Sequence, residues 1–252
     1  MTELCTVIGD ASEGSISTIE HLMSAFSGLG VDNVLVEIDG PEVPIMDGSA
    51  IRFVEAIDEA GIRELSAPRR YLKILKPVRY EKGRAFSELR PAADGFRLDV
   101  EIDFAAGIIG RQSTSITLDP ATFRREIARA RTFGFIRDVE RLWKAGFALG
   151  SSLENSVALE DERVINPEGL RFTDEFARHK TLDAIGDLAL AGMPILGEYR
   201  SFCAGHKMNV AVLEALFSDP SAYDVIDAEL PRAARHAQTL RAGVPAYAPD
   251  RG

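Results

Sequence analysis

Three of the four histidines in this chain lie in two short regions that also carry carboxylates and are far apart in the sequence. Glu20-His21 stands near the start, whereas His179 is followed by Asp183 and, later, by His206. Imidazole nitrogen and carboxylate oxygen are ligands that Zn²⁺ prefers, and a catalytic zinc uses three protein ligands so that the fourth position holds water. A helix would present His179 and Asp183 on one face, one turn apart. The pattern favours a fold that brings both regions to one metal.

Each region also has an ordinary structural explanation. Ser17-x-x-Glu20 fits a capping box, in which Glu20 satisfies a backbone N–H at the start of a helix, and His21 would then be a partly buried histidine. Asp183 and Asp187 would be the solvated side of an amphipathic helix. Taken together, however, the Glu-His pair, the His-Lys-x-x-Asp-x-x-x-Asp segment and the later Gly-His pair form the inventory of a hydrolase.

Charge and cysteine content narrow the possible partners and location. The formal net charge of −10 argues against a nucleic-acid partner, because such proteins carry a basic patch. No apolar run approaches the ~20 residues of a membrane helix, and the first residues lack a signal-peptide pattern. The only two cysteines, Cys5 and Cys203, are far apart, which suggests reduced thiols. We expect a cytoplasmic monomer with at most peripheral membrane contact and no nucleic acid.

Hydrophobic periodicity divides the chain into two α/β units and predicts an α+β fold. The first unit, residues 1–66, has apolar residues at helical spacing over 17–29, a β-branched strand over 33–39 and a second helix near 49–60. A polar segment with a proline, residues 66–70, marks the boundary.

The second unit, residues 70–228, begins with strand-like runs that predict an antiparallel sheet. The helix that carries His179 ends near Gly192, and a tail rich in Ala, Pro and Arg follows at 229–252. Each unit places a His-bearing helix beside strands, so we expect two layers of sheet and helix with their helices facing one another. The other predicted elements are strands near 71–80, 95–104, 113–118 and 195–202, helices near 122–131, 139–144 and 206–217, and a hairpin at 156–165.

Seven segments run through nearly the whole chain in an order that is far more specific than a lone metal motif. They are Leu4-Cys-Thr6, Thr18-Ile-Glu-His-Leu-Met23, Leu29-Gly-Val-Asp-Asn33, Pro44-Ile-Met-Asp-Gly-Ser-Ala50, Arg129-Ala-Arg-Thr-Phe-Gly-Phe135, Leu170-Arg-Phe172 and Asp174-Glu-Phe-Ala-Arg-His-Lys-Thr-Leu-Asp-Ala-Ile-Gly-Asp187. In these segments the chain resembles the zinc-dependent UDP-3-O-acyl-N-acetylglucosamine deacetylases of lipid A biosynthesis. The resemblance implies hydrolysis of a UDP-linked, acylated N-acetylglucosamine to the free amine and acetate, at a zinc site between the two layers.

The family pattern implies that His21, His179 and Asp183 are the zinc ligands and that Glu20 is the general base. Zn²⁺ lowers the pKa of its bound water toward ~7 and polarises the amide carbonyl. Glu20 then has only to accept the proton of the water. Three protein ligands leave one position open, as a hydrolytic site requires.

The same pattern implies four further catalytic residues. A protonated His206, oriented by Asp187, would help to stabilise the tetrahedral oxyanion and then give a proton to the leaving amine. The Thr132 hydroxyl would share in stabilising the oxyanion. Lys180, beside a metal ligand, would face the charge of the substrate.

The acyl chain of such a substrate requires an apolar passage. The resemblance places it in an insert of the second unit, residues 131–160, with Phe133 against the substrate, and it places Cys5 where the first unit approaches the substrate. Without the resemblance, these apolar residues would be ordinary core and Cys5 a small buried residue. The residues expected in the passage are Phe133, Phe135, Ile136, Val139, Leu142 and Trp143.

The start of the chain departs from the family pattern. The family has several dozen residues ahead of Leu-Cys-Thr that supply the first strands of the first unit, whereas here Met1-Thr2-Glu3 leads directly into the motif. We expect an exposed sheet edge and looseness before residue 66 as a result. Two alternatives to the intact enzyme therefore stay open: a truncated, weakly active or non-catalytic zinc-binding or ligand-binding relic, and a deacetylase of another N-acetyl sugar.

Overall fold

The chain folds into helices and a mixed main sheet, which confirms the predicted α+β class. The structure, a computed structural model, describes residues 4–10, 14–138, 152–160 and 162–227. The strands are β1 (Val7–Asp10), β2 (Gly14–Ser17), β3 (Arg70–Ile74), β4 (Val78–Lys82), β5 (Ala85–Arg90), β6 (Phe96–Asp103), β7 (Arg111–Thr117), β8 (Phe133–Phe135), β9 (Val157–Glu160), β10 (Arg163–Val164), β11 (Ile195–Phe202) and β12 (Tyr223–Asp227). The longer helices are α1 (Glu20–Leu29), α2 (Ile51–Ala60), α3 (Glu175–Leu188) and α4 (His206–Phe217).

Strand β11 lies at the centre of the seven-stranded main sheet. Its first residues pair in parallel with β3, and the rest lies between antiparallel β5 and parallel β6. The predicted antiparallel sheet is therefore only partly correct. The reason is that β11 follows helix α3, because a crossover through a helix returns a strand parallel to an earlier one.

One face of the main sheet is buried beneath helices. In β6, Leu98, Val100 and Ile102 are buried, whereas the residues between them are more exposed, because side chains alternate across a strand. Helix α3 packs on β6 and β7, and α4 packs on β4 and β5. Helix α1 packs in turn on α3, so helices from the two ends of the chain face one another.

The contact between α1 and α3 depends on a glycine. A Cβ atom at Gly186 would lie 1.9 Å from the carbonyl oxygen of Glu20 and 2.8 Å from its carbonyl carbon. No side chain fits in that space, so the backbones of the two helices approach more closely than any other residue would permit. The first turn of α1 is thereby held against the last turn of α3.

Of two predictions about residues 17–39, the helix is confirmed with a later start and the strand is wrong. The first helix begins at Glu20 rather than at residue 17, because Thr18 has a φ of 59°, in the left-handed region, which interrupts a right-handed helix. The strand expected over 33–39 is irregular backbone, in which Leu35 is 85% exposed. Among the described residues no strand pairs with it, and β-branched residues favour a strand only where a neighbour provides a pleated, half-buried surface.

Most of the other predicted elements are confirmed within a few residues. Strand β11, helices α2 and α4 and the β9–β10 hairpin lie where the sequence predicts them. The helix expected at 122–131 is instead a turn, Pro120–Thr122, capped by the Asp119 side chain, followed by π-helix at Phe123–Ile127. The helix expected at 139–144 and the tail lie outside the described residues. In the part of the chain that is described, no helix has the length and apolar character needed to cross a membrane.

Candidate active site

Helices α1, α3 and α4 bring the predicted metal-binding and proton-transfer side chains together in the core. Four-residue steps along α3 keep its three members on one face. The alternative in which the acids of α3 form a solvated side is wrong, since both are buried. The residues are Glu20 and His21 in the first turn of α1, His179, Asp183 and Asp187 on α3, and His206 at the start of α4.

Three of these side chains form a candidate metal site. One ligand atom from each of His21, His179 and Asp183 lies within 4.8 Å of the others. The Oδ1 atom of Asp183 is 3.2 Å from His179 Nε2 and 3.6 Å from His21 Nε2. Tetrahedral ligands bound at about 2.1 Å lie roughly 3.4 Å apart, so both separations suit a single Zn²⁺-sized ion.

The electrostatic states of Asp183 and His179 suit a cation. Asp183 Oδ1 is buried and has no hydrogen-bond partner among the described residues, which is costly unless another group uses its lone pairs. Burial raises the pKa of Asp183, but the nearby His179 and Lys180 outweigh burial and hold that pKa well below its usual range. Burial lowers the pKa of His179 to about 3. The site therefore offers a carboxylate and a neutral imidazole, the forms that bind metals.

A backbone carbonyl determines the orientation of the His179 ring. His179 Nδ1 lies 3.1 Å from the carbonyl oxygen of Ala130. A carbonyl only accepts hydrogen bonds, so Nδ1 carries the proton and Nε2 faces Asp183 with a free lone pair. Metal-binding histidines are commonly oriented in this way.

Glu20 is not a helix cap. Ile19 occupies the N-cap position without a side-chain cap, and Glu20 Oε2 instead accepts a hydrogen bond of 3.0 Å from the backbone N–H of Thr6. The capping-box explanation is therefore wrong. Burial raises the pKa of Glu20, and the charge of His206 opposes that shift. A carboxylate with a raised pKa is a better proton acceptor near neutral pH.

His206 belongs to a buried chain of hydrogen bonds. Its Nδ1 donates to Asp187 Oδ2 over 2.9 Å, and the Asn209 amide donates to the same oxygen over 2.7 Å. Tyr199 donates to Asn209 over 2.6 Å, and the Thr6 hydroxyl donates to the other Asp187 oxygen over 2.5 Å. Burial lowers the pKa of His206, but Asp187 and Asp183 outweigh burial and raise the pKa to about 9. His206 is thus a cation near neutral pH whose Nε2 points toward Asp183, 3.9 Å from Oδ2.

Lys180 lies between the metal residues and a cavity. Its ammonium donates to Asp183 Oδ2 over 2.8 Å, and its side chain is 24% exposed. The cavity has a volume of about 240 Å³ and is lined by Arg84, Ile102, Asp103, Phe104, Lys180, Cys203 and Ala204. This position agrees with a role toward the substrate's charge, which stays a prediction.

The remaining predicted residues surround this centre. Phe133 lies 6.2 Å from the His179 ring and 4.8 Å from Phe176, measured between ring centroids. The backbone of Thr132 is held by Gly48 and Val157, each over 2.7 Å. Cys5 is partly buried next to Thr6. The roles of the Thr132 hydroxyl and of Cys5 stay predictions.

The structure places three of the six residues expected in the acyl passage, and the passage itself stays a prediction. Phe133, Phe135 and Ile136 are partly buried, and the two phenylalanines pack against a small apolar cluster that includes Phe176 and Leu159. The passage residues Val139, Leu142 and Trp143 lie outside the described residues.

Sequence reasoning missed the groups that orient the site: Thr6, the Ala130 carbonyl, Tyr199 and Asn209. Thr6 and Ala130 stand within the quoted Leu4-Cys-Thr6 and Arg129–Phe135 segments, so a signal existed for these two. The hydrogen bonds of Thr6 and Ala130 join residues that are 14 to 181 positions apart in the sequence, so the spacing of neighbouring residues does not reveal them.

Comparison with known proteins identifies the family of this chain. The family model for UDP-3-O-acyl N-acetylglycosamine deacetylase matches residues 1–218, a range that contains every site residue described above. Three relatives, from Brucella ovis, Brucella canis and Brucella suis, are named UDP-3-O-acyl-N-acetylglucosamine deacetylase. Each is 54% identical to this chain over 228 residues, which cover 90% of the chain and 79% of the relative.

Proposed function

This chain belongs to the UDP-3-O-acyl N-acetylglycosamine deacetylase family, and we propose that it hydrolyses the acetamide of UDP-3-O-acyl-N-acetylglucosamine to the free amine and acetate. In the family, this reaction commits the precursor to lipid A. The observation that carries the proposal is the buried Asp183 oxygen without a hydrogen-bond partner among the described residues, set between two imidazole nitrogens. A bound cation would satisfy this oxygen, close to the proposed general base Glu20 and the cationic His206.

The cation that fits the donor set best is Zn²⁺. Two imidazoles and one carboxylate are ligands that catalytic zinc sites use, and three protein ligands leave a position open. A zinc ion held by His21, His179 and Asp183 would activate a water molecule and polarise the acetamide carbonyl.

Glu20 and His206 handle the two protons. Glu20 accepts a proton from the attacking water as the water oxygen bonds to the acetamide carbon. His206 holds its Nδ1 proton against Asp187, so its Nε2 proton is available to the amine nitrogen as the carbon–nitrogen bond breaks. Acetate and the free amine leave, and solvent restores both side chains to their starting protonation states.

The other predicted residues bind and orient the substrate. The Thr132 hydroxyl and the His206 cation stabilise the oxyanion. Lys180 contributes its positive charge at the edge of the adjoining cavity, where an anionic part of the substrate fits. Cys5, near the start of the chain, and Phe133, near its middle, contact the substrate, with Phe133 at the entrance to the acyl passage.

We also propose that the protein works in the cytoplasm as a monomer, with at most peripheral membrane contact. Support for this location comes from the sequence, in which Cys5 and Cys203 are the only cysteines and stand far apart, outside any Cys-x-x-Cys pattern, as is usual where thiols are kept reduced.

Acetate release from the purified protein tests the function. We expect release from UDP-3-O-acyl-N-acetylglucosamine, about one Zn²⁺ per chain by elemental analysis, and loss of both in His179→Ala. Equal rates with UDP-N-acetylglucosamine, which lacks the acyl chain, would indicate a deacetylase of another sugar. Zinc binding without acetate release would indicate a non-catalytic relic.

A further inference from the structure

A buried ion pair lies outside the set of residues assigned so far. The side chain of Arg131 is 2% exposed and that of Glu175 is 0% exposed. Glu175 is the first residue of α3, one turn ahead of His179, and Arg131 stands between Ala130 and Thr132 in the segment that passes the metal residues. The pair therefore lies where that segment meets the helix carrying two of the proposed metal ligands.

Glu175 binds the backbone as well as the guanidinium. Its Oε1 accepts from the backbone N–H of Arg131 over 3.0 Å and from Arg131 Nε over 2.9 Å. Its Oε2 accepts from the backbone N–H of Arg171 over 2.6 Å. One carboxylate thus ties two separate stretches of backbone to the start of α3.

Arg131 extends the same connection. Its Nη1 donates to Glu168 over 2.7 Å, and its Nη2 donates to the carbonyl oxygen of Gly169 over 2.7 Å. A planar guanidinium holds such partners in a fixed geometry, which a flexible ammonium does not. The peptide that joins Ala130 to Arg131 is therefore fixed relative to α3.

That peptide carries the carbonyl that orients His179. Ala130 O accepts the hydrogen bond from His179 Nδ1, and this bond leaves Nε2 facing Asp183 Oδ1. A backbone carbonyl cannot be removed by substitution, so its position depends on whatever holds the peptide. The next residue, Thr132, directly follows the Arg131 backbone that Glu175 binds, and its own N–H donates to the carbonyl oxygen of Gly48 over 2.7 Å.

General stability does not require charges at this place. Taking two charges out of water is costly, and apolar residues of similar volume often stabilise a protein equally well. The particular property of this pair is its set of directional bonds to backbone beside the metal residues.

We propose that Arg131 and Glu175 are positioning residues for the metal site. By fixing the 130–132 backbone against α3, they hold the Ala130 carbonyl where it selects the His179 tautomer that binds metal, and they place Thr132 beside it. This inference rests on the proposed metal site.

The test replaces both charges with apolar residues, in Arg131→Met/Glu175→Leu, so that no unpaired charge is left in the core. We expect the metal-free double variant to lose the two backbone hydrogen bonds that Glu175 accepts but still to unfold cooperatively, and to bind Zn²⁺ about 10–100-fold more weakly in a chelator competition. The absorption spectrum of the Co²⁺-loaded variant should also change, because the ligand geometry changes. Zinc affinity within twofold of the wild type would overturn the proposal.

The control is an Arg–Asp ion pair in which Asp32 follows the C-terminal end of α1, whereas His21 is in the first turn of that helix. Arg69 donates through Nε and Nη2 to Asp32, with both side chains about one-third exposed, and Arg69→Met/Asp32→Leu should leave zinc affinity unchanged. If this control lost as much zinc affinity as the Arg131/Glu175 double variant, the proposal would also be overturned.

If the Arg131/Glu175 double variant fails to fold, Arg131→Lys is the deciding variant. Lysine keeps the positive charge and the backbone N–H but lacks the planar guanidinium. Weaker zinc binding by folded Arg131→Lys supports the proposal, and unchanged binding overturns it. Failure of the wild type to bind zinc would instead refute the proposed function itself.

Discussion

Gly186→Ala should separate helix α1 from helix α3 and weaken metal binding more than it weakens the fold. The new methyl carbon would start 1.9 Å from the Glu20 carbonyl oxygen, whereas ordinary contact begins at 3.4 Å. The two backbones must therefore part by about 1.5 Å. Overpacking of this kind costs about 1–3 kcal/mol, which lowers Tm by about 2–4 °C per kcal/mol in a chain of this size.

The same displacement has a larger effect on the metal. Glu20 is followed by His21, so moving this turn carries one proposed ligand away from the two on α3. Zinc–nitrogen distances tolerate only about 0.2 Å, so a shift several times larger should abolish three-ligand binding. Chelator competition measures the zinc affinity, and calorimetry of the metal-free protein measures the stability.

Gly28→Ala provides the control on the same helix. A Cβ there would lie 2.3 Å from the Phe123 ring, at the other end of α1 from His21. We expect a comparable loss of stability but a much smaller loss of zinc affinity. The reasoning is refuted if Gly186→Ala binds zinc as tightly as the wild type, or if Gly28→Ala loses zinc equally.

Three further predictions concern proton transfer. Glu20→Gln should keep zinc by elemental analysis while kcat falls about 10²–10⁴-fold, and loss of the metal would make Glu20 a ligand instead. The pH profile of wild-type activity should be bell-shaped, because activity falls as Glu20 is protonated below its raised pKa and as His206 loses its proton above about pH 9. Asp187→Asn removes the carboxylate that raises the His206 pKa, so the fall in activity at high pH should move to lower pH. A fall at the same pH as in the wild type would contradict this assignment. Thr6→Val keeps the N–H to Glu20 but removes the hydroxyl to Asp187, and should cost about 1 kcal/mol in a denaturant titration, whereas unchanged stability would show that this bond contributes nothing.

The sequence predicts an element well where its apolar pattern continues over many residues and where the fold supplies partners on both sides of it. Helix α4 and strand β11 agree with the predicted 206–217 and 195–202. The 33–39 segment shows the opposite case: its composition favours a strand, but the described residues supply no neighbour to pair with, and strand preference depends on such a neighbour. Likewise, the left-handed backbone at Thr18 that delays α1 has no signal in apolar spacing.

The types of side chain at the site follow from the local sequence, whereas their orientation depends on contacts between distant segments. Spacings of four residues require that His179, Asp183 and Asp187 share a face of any helix that contains them. The sequence by itself therefore determined the types of these side chains and their alignment. Only the tertiary structure decided which backbone groups and ions turn those side chains toward one point. The Ala130 carbonyl and the Arg131–Glu175 pair reach α3 across 44 to 49 residues. Such contacts depend on how separate elements pack, and helical or strand period carries no information about that packing.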